Sequence, residues 1–218
     1  MISSKLFQHK YIPATHPGAE EKLVLVFHGL GDSLNGFTWM PPQLHLDTVS
    51  YLLVNAPDDY YGGYSWFDFS NGGNIKGVAT PGILRSRGLI KSLIGEVIQQ
   101  GVKPLNLILF GFSQGCLMAV DAGLRADVVL GGICGVSGWL AFQEEYPDAF
   151  SASALKQKFL VTHGTHDPLL PFNLTKAQCG FLSDQGIEVT FKSFEKDHTI
   201  LPEELIVIGD WLKQRLRI

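Results

Sequence analysis

Ser113 sits in the pentapeptide Gly111-Phe112-Ser113-Gln114-Gly115, where a serine can attack a carbonyl carbon if a neighbouring base takes its proton. An apolar run over residues 105–110 leads into this pentapeptide, and a helical pattern of Cys116, Leu117, Met118, Ala119 and Val120 follows at once. That strand–turn–helix context gives a Gly-x-Ser-x-Gly pattern its meaning. So tight a turn strains the serine backbone, and a β-carbon two residues to either side would crowd the neighbouring strand or helix; glycine at 111 and 115 avoids the clash. The hydroxyl is then expected at the carboxyl edge of a sheet, with the amide-rich start of a helix aimed at the same spot. A plain glycine-rich turn is the competing reading.

The serine needs a base, and the base needs a group that holds its tautomer. Beyond Ser113 the histidines are His163, His166 and His198, and only His198 lies between the last predicted strand and the terminal helix. His198 is therefore the expected general base. Asp167, in Gly164-Thr165-His166-Asp167-Pro168, follows another predicted strand, and Pro168 and Pro171 keep its segment out of helix. It is the expected acid. Asp197 competes, but adjacent side chains in an extended loop point apart, and it is expected to be solvated. His163 and His166 are expected to be structural.

Two backbone N–H groups should receive the oxyanion, one from the residue after the nucleophile and one from the loop after the first core strand. These are Gln114 and, within His28-Gly29-Leu30-Gly31-Asp32, Leu30. The His28 side chain is expected to brace that loop rather than to react.

Apolar blocks rich in Val, Ile, Leu and Phe predict strands over residues 23–27, 51–54, 105–110, 128–136, 159–162 and 188–194. Helical patterns cover residues 83–99, 114–125, 172–182 and 203–216. The last follows Pro202, begins with two acidic residues and repeats Leu205, Ile208, Trp211, Leu212 and Leu216 at helical spacing. Such alternation predicts an α/β fold with a mostly parallel, doubly wound sheet and helices on both faces. With no repeat or linker in view, one domain over residues 1–218 is expected.

Hydrophobic residues make up 45% of the 218 and charged residues 17%, below the roughly 25% of typical soluble chains, which favours a large core. A net charge of −4 without a basic cluster argues against nucleic acid as a partner. The N-terminal residues carry no signal-peptide pattern, and the apolar runs are too short to span a bilayer. Cys116, Cys134 and Cys179 form no Cys-x-x-Cys pair and are expected to be reduced, buried thiols in a cytoplasmic protein. Neither metal-ligand spacing nor a nucleotide-binding glycine pattern occurs, so no metal or cofactor is expected.

A glycine-rich stretch from Asp58 to Gly77 holds Tyr60, Tyr61, Tyr64, Trp66, Phe67 and Phe69. Tyr64, Trp66 and Phe67, with Leu169 beyond the acid, are candidates for an acyl pocket; ordinary packing over the sheet edge is the alternative.

His28-Gly29-Leu30-Gly31-Asp32, Asn55-Ala56-Pro57, Ser65-Trp66-Phe67-Asp68, the Ser113 pentapeptide and His163-Gly164 with Asp167 together resemble the phospholipase/carboxylesterase family, which includes the acyl-protein thioesterases. The resemblance runs from about residue 20 onward. It implies an α/β-hydrolase fold with little or no cap, a Ser113–Asp167–His198 triad, and oxyanion donors at Leu30 and Gln114. The implied substrates are small-molecule esters or thioesters, lysophospholipids or acylated proteins. Cys116 stands where relatives often have another glycine, and Asp197 where glycine usually precedes the base. The same triad could instead cleave amides or carbon–carbon bonds, or the fold could bind a ligand without catalysis.

Overall fold

The computed structural model describes residues 1–68, 80–140 and 150–218. The part of the aromatic stretch beyond residue 68, with Phe69, therefore lies outside the described residues. A seven-stranded sheet organises the chain: β1 (His9–Ile12), β2 (Leu23–Phe27), β3 (Ser50–Val54), β6 (Leu107–Phe112), β7 (Gly132–Val136), β8 (Lys158–Gly164) and β9 (Glu188–Phe194), in the spatial order β1-β3-β2-β6-β7-β8-β9. A short hairpin of β4 (Asp58–Tyr60) and β5 (Gly63–Ser65) stands apart from it. Among the described residues the α-helices are α1 (Met40–Leu44), α2 (Pro81–Gln99), α3 (Gln114–Leu124), α4 (Phe172–Asp184) and α5 (Pro202–Leu216).

From β3 to β9 every neighbouring pair runs parallel, whereas β1 pairs antiparallel with β3. Parallel strands covered on both faces need apolar side chains in both directions. In β2, Leu23, Leu25 and Phe27 face a core completed by α2, α3 and α4, while Val24 and Val26 face a second core completed by α1 and α5. The apolar blocks are thus strands with two buried faces.

Strand order reverses between β2 and β6, because the chain moves to β3 on one side of β2 and later resumes with β6 on the other. Loops leaving the two strands diverge there and open a crevice at the carboxyl edge. One is the loop of His28 to Asp32, and the other is the turn at Ser113. β1, the hairpin and α1 lie outside the elements that the sequence pattern predicts, and β7 begins later than expected, since residues 128–131 precede the strand.

Candidate active site

Ser113 caps α3 with φ 55° and ψ −116°, and its N–H donates to Val136 O at 2.9 Å. A non-glycine residue there is strained and is held by its surroundings. The flanking glycines explain the hold: a β-carbon on Gly111 would collide with the Gly115 carbonyl, and one on Gly115 with the Phe27 carbonyl. Strand β6, helix α3 and strand β2 approach one another through these two positions.

His198 follows β9 and Asp167 follows β8, and both meet Ser113 at the carboxyl edge. Asp167 Oδ2 lies 2.7 Å from His198 Nδ1, and His198 Nε2 lies 2.9 Å from Ser113 Oγ. A carboxylate only accepts, so Nδ1 carries the proton, and Nε2 is left to accept from the serine hydroxyl. The other carboxylate oxygen, Oδ1, accepts the N–H groups of Leu169 and Leu170, each at 2.9 Å. Burial alone would push the Asp167 carboxyl up, but the bond to His198 and these amides outweigh it and hold it below the ordinary aspartate range.

Of the remaining titratable candidates only His163 approaches the acid, its Nε2 lying 3.7 Å from Asp167 Oδ2. Asp197 and His166 are exposed. His163 is fully buried; its Nε2 lies 3.0 Å from Leu170 O, and its neutral form is favoured because burial opposes the charge. His28 is also buried: its Nδ1 contacts Gly29 O at 2.6 Å, and Nε2 accepts the Ala56 N–H at 3.0 Å. It braces the loop after β2.

That loop is clamped from its other side. Gly31 N–H donates to Tyr64 O and Tyr64 N–H to Asp32 O, both at 2.9 Å, while Gly31 adopts φ 77°. Among the described residues the backbone N–H groups of Leu30 and Gln114 have no acceptor. Both residues line a cavity of about 430 Å³ together with Gly29, Asp32, Phe112, Ser113, Trp139, Leu169, Leu170 and His198. Its lining combines apolar side chains with the Ser113 hydroxyl and two amides without acceptors, a composition suited to a carbonyl with a hydrocarbon tail.

The acyl-pocket expectation for the aromatics needs correction. Leu169 borders the cavity, but Tyr64, Trp66 and Phe67 are not among the described residues that line it. Trp66 is fully buried, packs edge-on against Phe27 and donates from Nε1 to His28 O at 2.9 Å. Phe67 lies behind the cavity, in edge contact with Trp139. The Gln114 side chain pins both, accepting Trp66 N–H and donating to Phe67 O, each at 2.8 Å. Tyr64 contributes its backbone, as described, and its hydroxyl donates to Gln8 at 3.0 Å. The aromatic wall is instead supplied by Trp139 and Phe112. Trp139 lies just past β7, at the edge where β6 and β8 deliver Ser113 and Asp167, and that position is the signal that could have identified it.

Among the described residues no group of three or more His, Cys, Asp or Glu side chains could hold a metal ion, and no helix is long and apolar enough to cross a membrane.

A family model described as phospholipase/carboxylesterase matches residues 13–216. Acyl-protein thioesterase 1 of Gibberella zeae is 30% identical over 225 residues, covering 94% of this chain and 95% of that protein. Carboxylesterase SOBER1 of Arabidopsis thaliana is 30% identical over 209 residues, covering 89% of this chain and 90% of its own. Its crystal structure superposes with a TM-score of 0.81 over 90% of this chain and 99% of that one, at 29% identity. Esterase PE8 superposes with a TM-score of 0.85 over 96% and 99%, at 25% identity.

Proposed function

Since this chain belongs to the phospholipase/carboxylesterase family, we propose that it cleaves carboxylic esters or thioesters through an acyl-enzyme on Ser113, with His198 as general base and Asp167 as its orienting acid. The observation that carries this reading is the unbroken hydrogen-bonded line from Asp167 through His198 to Ser113. As Oγ attacks the carbonyl carbon, its proton passes to His198 Nε2, and the Asp167 carboxylate stabilises the imidazolium. The tetrahedral oxyanion takes the N–H groups of Leu30 and Gln114. The imidazolium then gives its proton to the departing alcohol or thiol. Water repeats the cycle and frees the acid.

The acyl portion lies against Trp139, Leu169 and Leu170, with Phe112 beside the base. Leu169 is 66% exposed and forms the rim, so large leaving groups, such as the head-group alcohol of a lysophospholipid or the thiol of an acylated protein, extend outward from there.

Labelling with a fluorophosphonate followed by peptide mapping tests the nucleophile. The expected adduct is on Ser113, and modification elsewhere refutes the assignment. A panel of p-nitrophenyl esters of increasing chain length, a thioester and an anilide tests the reaction class. Turnover of the esters and thioester with an inert anilide is expected; preferential anilide cleavage would move the activity to amides.

A further inference from the structure

Two residues before His198, a lysine is buried at the centre of the loops that carry the catalytic groups. Lys196 is 4% exposed and Glu204, in the first turn of α5, is fully buried. Lys196 Nζ lies 2.7 Å and 2.6 Å from the two Glu204 carboxylate oxygens, 2.6 Å from Thr199 O and 3.0 Å from Ser137 Oγ. Glu204 Oε2 also accepts the Leu201 N–H at 3.2 Å. The short loop bearing the base is therefore tied on both sides of His198 to one carboxylate and one ammonium.

The same lysine reaches the other two loops. Its carbonyl accepts the His166 N–H at 3.1 Å, one residue before Asp167. Its ammonium holds Ser137, which follows Val136, the residue whose carbonyl accepts the Ser113 N–H. Gly164 lies against this backbone so closely that a β-carbon there would strike the Lys196 carbonyl. A buried ion pair is a poor way to gain stability, because removing two charges from water offsets their attraction, yet its geometry is strict. Here that strictness acts on the loop of the base.

We propose that Lys196, paired with Glu204, is a positioning residue for the catalytic base: it fixes the loop through Thr199 and Leu201 so that the His198 imidazole stays between Asp167 and Ser113. This rests on the triad reading above. Neither side chain touches the reacting atoms; both act through His198.

The test is a double-mutant cycle on the full chain with an activated p-nitrophenyl ester, with active sites counted by fluorophosphonate titration. Lys196→Met with Glu204→Leu removes both charges together, so no lone buried ion is left. With the fold intact by circular dichroism, kcat per titrated site should fall about 10- to 100-fold, the scale of a misplaced catalytic group, while KM changes little. In a His198→Ala background the same pair should leave residual hydrolysis nearly unchanged, because there is no imidazole to position. Parental kcat in the folded pair variant, or an equal loss in both backgrounds, overturns the inference. Inactive His198→Ala beside a fully active pair variant overturns this inference alone, whereas fully active His198→Ala overturns the triad reading with it. Should the pair variant not fold, Ser137→Ala removes one ammonium acceptor and leaves the ion pair. It should lower kcat severalfold in the parent and not in His198→Ala; parental kcat in folded Ser137→Ala then counts against the proposal.

Discussion

The His198 imidazole stands between two oxygens with opposite requirements, 2.7 Å from Asp167 Oδ2 at Nδ1 and 2.9 Å from Ser113 Oγ at Nε2. Only a carboxylate at 167 forces the proton onto Nδ1. Asp167→Asn, which keeps the shape and allows the wrong tautomer, should lower kcat by about 10⁴ with little change in KM. Asp197→Asn should leave kcat close to the parent, because that side chain faces solvent. Steady-state kinetics on a p-nitrophenyl ester checks both, and the reverse ranking would make Asp197 the acid.

Leu30 is proposed to act through its amide, so its side chain should matter little. Leu30→Ala should keep most of the activity, whereas loss of one oxyanion donor typically costs about 10²–10³ in rate. Gly31→Ala should be the more damaging change despite removing no donor. At φ 77° an alanine is strained by about 1–2 kcal/mol, and relief of that strain would turn the Leu30 amide away. A Leu30→Ala loss as deep as that of Ser113→Ala would contradict the backbone role.

Cys116 fits because glycines face it. A β-carbon on Gly135 would lie 2.6 Å from Cys116 Sγ and 3.2 Å from Val120 Cγ2. Gly135→Ala should therefore destabilise by about 1–3 kcal/mol through overpacking. Cys116→Ala removes the sulfur and should restore much of that loss. Urea unfolding of the two single variants and the double variant measures the coupling. Strictly additive effects would mean that the strain at 135 has another source.

Stability should depend on pH through the buried histidines. Burial holds His28 and His163 below the ordinary histidine range, so the unfolded chain takes up protons first as pH falls. Their contribution is complete above the unfolded value of about 6.5 and is lost as pH drops from there toward the lowered folded values. The Asp167 carboxyl, held low, adds a separate term that persists above about 3.9 and disappears only as pH falls through its folded value. Urea midpoints should decline between pH 7.5 and 5.5. His28→Asn should be less stable overall yet show a shallower decline. A flat parental profile over that interval would contradict the assignment.

Much of this architecture is legible in the sequence, for physical reasons. Strands buried on both faces must be continuously apolar, so β2, β3, β6, β8 and their following loops stand out. Ser113, Asp167 and His198 could then be found by asking which reactive residues follow strands. β1 escaped notice because His9–Ile12 is a half-buried edge strand with mixed polarity, and α1 because two prolines sit in a five-residue helix. Trp66 and Phe67 misled for a different reason. Composition marks an aromatic stretch but does not say which way the rings turn, and here Gln114 draws the backbone of both into the core. Lys196 was invisible as well, since a lysine in a polar loop is ordinarily solvated.

In the sheet order β6-β7-β8-β9, the three strands that deliver the proposed triad span four of the seven strands, and the last of them lies at an edge. On the proposed triad, a chain with β2, β6, β7 and α3 in place would still have no imidazole to activate Ser113 until β9 and α5 have docked. The onset of turnover during refolding should accordingly report the docking of that edge strand rather than collapse of the centre.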